Sequence, residues 1–183
     1  MTDSNDPMEH LRFPIGKFKV PENYTEASRN GALDALRKLP DQLHEAIGKL
    51  TESQWDTPYR PEGWTVRQVV HHLADSHMNS FIRFKWALSE DRPMIKPYDQ
   101  NAWVQMKDST DLHPEVSIGI LRGVHQRLVY LIEGFNEDQF NVTLGHPEWD
   151  RVLSLDFMLA LYGWHSRHHL RHITALMERE GWA

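Results

Sequence analysis

Four histidines fall between positions 165 and 172, in the segment Tyr162-Gly-Trp-His165-Ser-Arg-His168-His169-Leu-Arg-His172-Ile173. They form two nested His-x-x-x-His pairs, His165/His169 and His168/His172. On a helix, residues one turn apart project from the same side, a spacing that lets two imidazoles chelate one ion. The flanking apolar residues separate the pairs. Leu155, Met158, Leu159, Tyr162, Ile173, Leu176 and Met177 make a stripe that contains His165 and His169. His168 and His172 align with Leu161, Trp164, Ala175 and Arg179, a mixed face expected at the surface, beside the ligands or at an interface.

Two imidazoles inside an apolar stripe need partners, because buried polar groups are costly when unpaired. A plain alternative is two core histidines bonded to backbone or carboxylates. A third histidine on a facing helix favours a metal ion instead. His71, His72 and His77 lie on the second strongly periodic segment. His71 is rotated about 100° from His72. His72 sits at the edge of the apolar stripe and His77 deeper in it, so pattern alone leaves these two open. Asp75 and Ser76, one turn beyond His72, are placed to orient a ligand imidazole.

The positioning elements follow from periodicity. A first helical region spans about Tyr24 to Leu50, with Pro40 expected to break or kink it. Thr65-Val-Arg-Gln68 reads as a capping box opening a second helix that stops near Glu90. Pro114 suits the first turn of a third helix, whose stripe is read as Val116, Ile120, Val124, Leu128, Leu131 and Phe135. Ser154 is the expected N-cap of the last helix, ending near Arg179. Residues 136–153 are irregular, with room for a short hairpin. Residues 91–113 lack periodicity, and a connection this long is often functional; it carries Tyr98 and Trp103. The expected architecture is all-α, a four-helix bundle with long connections, in a single domain over residues 23–183 after an irregular segment 1–22.

The 183-residue chain is 40% hydrophobic and 25% charged, with a formal net charge of −6. No run of Lys and Arg provides a nucleic-acid face, and no stretch approaches about 18 apolar residues, the length of a membrane span. The first twenty residues lack the basic start and apolar run of a signal peptide. With no cysteine there is neither a disulfide framework nor a thiolate site. A cytoplasmic location is the default expectation.

Trp64-Thr-Val-Arg-Gln-Val-Val-His71-His72-Leu-Ala-Asp75-Ser-His77-Met-Asn79, with Trp164-His165-Ser-Arg-His168-His169-Leu-Arg-His172-Ile173, resembles the DinB-like metal-binding bundles. More narrowly it resembles the YfiT group of metal-dependent hydrolases. The likeness runs from about Phe13 to the C-terminus and includes Lys96-Pro-Tyr98 and Trp103. The resemblance implies a metal held by His72, the histidine before Leu-Ala, and by the pair His165 and His169. It also implies a four-helix bundle, one zinc or nickel ion per chain, and a homodimer. The wider family often carries Arg-Gly-Gln after the last ligand, where this chain has Leu170-Arg171-His172.

Three neutral imidazoles leave an ion's charge uncancelled and a position open, the pattern of catalytic zinc. Such an ion lowers a bound water's pKa to about 7, which supports hydrolysis of a small substrate. It also stabilises a thiolate, which supports transfer of a small thiol such as bacillithiol. A purely structural metal is the non-enzymatic alternative. Ser166 stands where a zincin protease carries its general base, Glu, so a peptidase of that kind is rejected. Asp75, Asp150 and Glu148 are the acidic candidates for a base. His77 and His168 are expected to be dispensable for metal.

Overall fold

The computed structural model describes residues 7–149 and 152–182. In chain order the helices begin with α1 (Glu9–Arg12), α2 (Glu26–Gly48), α3 (Glu52–Trp55), α4 (Val66–Ser89), α5 (Gln100–Trp103) and α6 (Lys107–Asp111). Then come α7 (Glu115–Glu133), α8 (Glu137–Phe140), strands β1 (Thr143–Gly145) and β2 (Val152–Ser154), and α9 (Leu155–Glu180). The fold is the expected all-α bundle of four long helices, α2, α4, α7 and α9. The two strands form a small antiparallel hairpin that pairs Thr143 with Ser154.

The helix starts obey local chemistry. Thr65 Oγ1 accepts from the Gln68 backbone N–H at 3.2 Å, and Gln68 Oε1 accepts from the Thr65 N–H at 2.9 Å. The capping box is thus formed, and Gln68 Nε2 also donates to Val104 O at 2.8 Å, tying the long loop to the helix it caps. The Ser154 side chain accepts from Phe157 N and starts α9, and Gly181 ends that helix with φ of 69°.

The order of packing places the chemistry. Helix α2 packs extensively on α9 and α7, and α4 packs on α7 and α9. The successive long helices α2 and α4 therefore occupy opposite corners, as do α7 and α9. The connections 49–65 and 134–154 span these diagonals, and only 90–114 joins neighbours. This arrangement brings α4 against α9, the two helices that carry the histidine motifs.

The apolar core is split in two. One cluster includes Leu36, Phe84, Leu128 and Tyr162, and the other Leu39, Leu73, Leu121 and Ile173. The residues that fall between the two clusters include His77 on α4, His125 on α7, and His165 and His169 on α9. A layer of imidazoles thus crosses the bundle between two hydrophobic blocks.

Two expectations are corrected here. Of the break or kink expected at Pro40, the break does not occur, and helix α2 runs on to Gly48. Proline lacks the N–H that would bond the carbonyl four residues back, and the freed Leu36 carbonyl instead accepts from His125 Nδ1 at 2.7 Å. The buried stripe of α7 is Ser117, Ile118, Leu121, His125, Leu128, Val129 and Ile132. Val116 and Ile120, assigned to the core from their spacing, are 48% and 37% exposed. The true stripe contains two polar residues because they have partners: Ser117 Oγ meets His71 Nδ1 at 2.7 Å, and His125 meets Leu36 O.

Gly163 sets the approach of α9 to α2. A Cβ there would lie 2.6 Å from the Ala32 Cβ and 2.8 Å from its Cα. The Gly163→Ala substitution should destabilise the fold by about 1–3 kcal/mol, because backbone must move to admit the methyl. Urea unfolding measures this; an unchanged midpoint would show that the two helices separate freely.

Candidate metal centre

His165 and His169 lie one turn apart on α9, and His72 faces them from α4. Nitrogens of these three rings come within 4.8 Å of one another. His72 Nε2 is 3.3 Å from His165 Nε2. Two nitrogens each about 2.05 Å from a tetrahedral ion would stand about 3.3 Å apart, so this spacing fits chelation.

The hydrogen bonds determine which nitrogens are lone pairs. A carbonyl only accepts, so His125 Nδ1 carries the proton donated to Leu36 O. Burial lowers the His125 pKa to about 4, so the ring is neutral near pH 7 and its Nε2 is an acceptor. That Nε2 lies 2.8 Å from His77 Nδ1, which must therefore donate. His77 Nε2 then accepts from His165 Nδ1 at 3.2 Å. His165 is left with its lone pair on Nε2.

A second relay fixes His169. His172 Nε2 donates to Arg12 O at 3.1 Å, and burial lowers the His172 pKa to about 4. Its Nδ1 accepts from His169 Nδ1 at 3.3 Å, which leaves His169 with its lone pair on Nε2. His165 and His169 thus both keep an unprotonated Nε2, and that of His165 faces His72 on α4. His72 Nε2 lies 3.3 Å from His165 Nε2, a spacing at which it donates its proton to that lone pair or, as the Nδ1–H tautomer, shares a cation with it. His72 Nδ1 is buried without a hydrogen-bond partner.

Aromatic rings close the surroundings. The Trp64 ring centroid is 4.6 Å from that of His72 and 6.2 Å from that of His169. Trp164 stacks on His168 at 4.3 Å and donates Nε1–H to Gly16 O at 3.3 Å. Residues 12–18 therefore pack along α9 and form one wall. A cleft of about 440 Å³ opens onto His165 and His169, lined also by Phe13, Trp64 and Gln100. Glu62 is in this lining, with φ of 56°, a left-handed conformation unusual for a side-chain-bearing residue.

The sequence-predicted residues distribute unevenly. His72, His165 and His169 come together. His168 and His172, expected on a mixed face, are both buried, because the N-terminal segment covers that side of α9. His168, His169 and His172 also have nitrogens within 4.8 Å of one another, but His169 belongs to both groups and both ring nitrogens of His172 are engaged. Asp75 is half-buried, and burial with nearby Asp108 raises its pKa to about 6; among the described residues its carboxylate bonds no ligand imidazole. Ser76 is buried beside Tyr162, whose OH donates to Ser76 O at 3.2 Å. Glu148 lines a neighbouring cavity with Tyr98 and Trp149. Asp150 lies outside the described residues. His125, Glu62 and the role of Pro40 were missed by sequence reasoning, although a proline followed through by a helix is a visible signal that one carbonyl needs a new donor.

Residues 35–173 match the family model described as the DinB superfamily. This chain belongs to the DinB superfamily. Within it, the chain is 45% identical over 174 residues to "Putative metal-dependent hydrolase YfiT" of Bacillus subtilis, covering 95% of this chain and 98% of that relative. It is also 45% identical over 175 residues to a "Putative metal-dependent hydrolase" of Bacillus cereus, covering 96% and 100%. The solved structure of YfiT from Bacillus subtilis superimposes with a TM-score of 0.92, covering 95% of this chain and 99% of that one. It is described as "a probable metal-dependent hydrolase with an unusual four-helix bundle topology". In this DinB superfamily member, Leu170-Arg171-His172 supplies the imidazole that braces His169.

The buried imidazoles make stability acid-sensitive. Burial lowers the pKa of His72 to about 3, of His125 and His172 to about 4, and holds His77, His165 and His169 well below 6.5. The folded state therefore binds fewer protons than the unfolded one. Stability is fully present above about pH 6.5 and is lost as pH falls toward 4. Urea unfolding of chelator-treated protein at pH 7.5, 6 and 5 should show falling midpoints; a flat profile would mean the rings charge without cost.

Proposed function

We propose that His72, His165 and His169 hold one divalent transition-metal ion, zinc with nickel as an alternative occupant, and that the site hydrolyses a small substrate in the adjoining cleft. The convergence of the three rings carries this reading, because two separate relays leave the α9 ligands with lone pairs on Nε2. An all-imidazole set suits zinc, nickel and copper and disfavours magnesium and calcium, which prefer oxygen. When bound, such an ion supplies Lewis acidity and brings a coordinated water toward a pKa of about 7. The names of the relatives support the hydrolytic class.

The chain's own groups do the rest. Neutral imidazoles add no negative charge, so none of the ion's +2 charge is cancelled. Trp64 packs against the rings of His72 and His169, and Trp164 against that of His168. Glu62 is the carboxylate that lines the cleft, and it serves as the proton acceptor in this reading. Gln100 offers an amide on the loop side.

Protein purified without nickel columns should contain about one zinc per chain by elemental analysis. His165→Ala and His169→Ala should lose it, and full retention in His72→Ala would overturn the assignment. The zinc-loaded protein should turn over small esters or amides without thiol, and Glu62→Gln should lower turnover while keeping the metal. Activity that appears only with glutathione or bacillithiol, consumed one for one, would replace hydrolysis by thiol transfer.

The relay makes a separate forecast that reverses the sequence expectation for His77. His77→Leu and His125→Leu should weaken zinc binding by about 10–100-fold in chelator competition. His77→Gln, which keeps a donor and an acceptor, should restore much of it. Unchanged affinity in both leucine variants would reduce the relay to core filling.

A further inference from the structure

Helix α4 carries a second polar group on the same face as His72. Arg83 follows His72 by eleven residues, about 20° beyond three full turns and about 16 Å along the helix axis. Its side chain is buried, at 8% exposure. Among the described residues its one hydrogen bond is from Nη2 to Lys96 O, at 3.4 Å. Among the described residues no carboxylate lies within ion-pair distance of it, unlike Arg29, whose side chain meets both Asp156 and Glu137. A guanidinium has five N–H donors, and a buried charge without a partner is costly.

Arg83 lines a cavity of about 610 Å³, together with Ser76, Tyr98, His146, Trp149 and Tyr162. Two carboxylates share this lining. Asp99 Oδ1 is committed to capping α5, accepting from Asn101 N and Ala102 N at 2.9 and 3.0 Å. Glu148 is exposed and makes no ion pair with Arg83. The cavity adjoins the metal cleft, since Gln100 lines both. Ser76 and Tyr162 stand one turn from His72 and His165, so the cavity begins where the ligand layer ends.

We propose that Arg83 binds an oxyanion of the substrate, a carboxylate or phosphate, at the far end of a cavity continuous with the cleft. The molecule that fits is elongated, with its reacting group at the histidines and an anionic end three helical turns away. This placement of the reacting group rests on the hydrolase reading; the anion site itself does not. A carboxylate or phosphate takes two parallel N–H bonds from a guanidinium, which satisfies donors that the protein leaves open. Tyr98 and Trp149 supply apolar walls for the linking atoms.

The test uses metal-free and zinc-loaded full-length protein, titrated at constant ionic strength with inorganic phosphate and with glutarate. Tryptophan fluorescence reports through Trp149, and amide chemical shifts report on residues 76–83 and 97–100. Both anions should bind the metal-free wild type, where no ion competes for them, and Arg83→Met should weaken binding by about tenfold or more. Arg83→Lys, which keeps the charge and loses the fork, should fall between, and it also serves if Arg83→Met fails to fold. Equal binding in wild type and both variants would overturn the proposal, as would no saturable binding to the metal-free protein. Anion binding that depends on Arg83 in a protein inert toward every ester and amide would leave this site standing and remove the hydrolase reading.

Discussion

Everything in this bundle depends on burying neutral imidazoles in series. An imidazole in a hydrophobic core has one donor and one acceptor, and each must be matched. The chain solves the problem by passing the requirement along until a backbone carbonyl ends it. One series runs from His165 through His77 and His125 to Leu36 O. The other runs from His169 through His172 to Arg12 O. Because a carbonyl cannot donate, the direction of every proton is set, and the two rings on α9 are left with the same nitrogen free. Pro40 belongs to this mechanism as much as any histidine does. It removes the N–H that would otherwise occupy Leu36 O, in the middle of a helix where free carbonyls are scarce.

The topology exists to let that layer form. Were the long helices arranged in simple order around the bundle, α4 and α9 would stand on opposite corners. The diagonal connections put them side by side, and α7 closes the layer with His125. Gly163 and Ala32 let α9 approach α2 closely, two residues before His165. The N-terminal stretch completes the other relay, since Arg12 O is its last acceptor and Phe18 packs edge-on against Phe157 of α9. Segments without regular structure thus contribute as directly to the imidazole network as the helices do.

The four helices were legible because their caps and periodicities agree with the tertiary structure. Thr65, Ser154 and the proline-rich breaks mark ends that local chemistry alone explains. The His-x-x-x-His spacing likewise stands out, because a helix converts it to one face without further information. His125 was not legible for the same reason that α7 was misread. Helix α7 has two overlapping apolar stripes, and choosing by hydrophobicity selects Val116 and Ile120 and rejects the stripe with Ser117 and His125. Only the partners on α2 and α4 make that polar stripe the buried one. Of the places open to His168 and His172, the surface is excluded and His172 stands beside His169; their burial was not legible because residues 12–18 cover that mixed face, and coverage by an irregular segment has no periodic signature.

The three proposed ligands are not equivalent, and the asymmetry is informative. His165 and His169 are held by relays that fix both tautomer and ring plane before any ion arrives. His72 has a buried Nδ1 with no partner, and its ring is held by Trp64 and by its Nε2 contact with His165. The α9 pair is therefore braced behind its Nδ1 atoms, and His72 is not. Under the proposed metal site, such a division would leave the tautomers of two of the three rings already set by the fold. It also explains why the layer is thick. A bundle that merely needed three ligands could have surrounded them with leucine, but then nothing would choose between the two nitrogens of each imidazole. The histidines behind the proposed ligands make that choice, and their burial is the reason the fold tolerates them only as neutral rings.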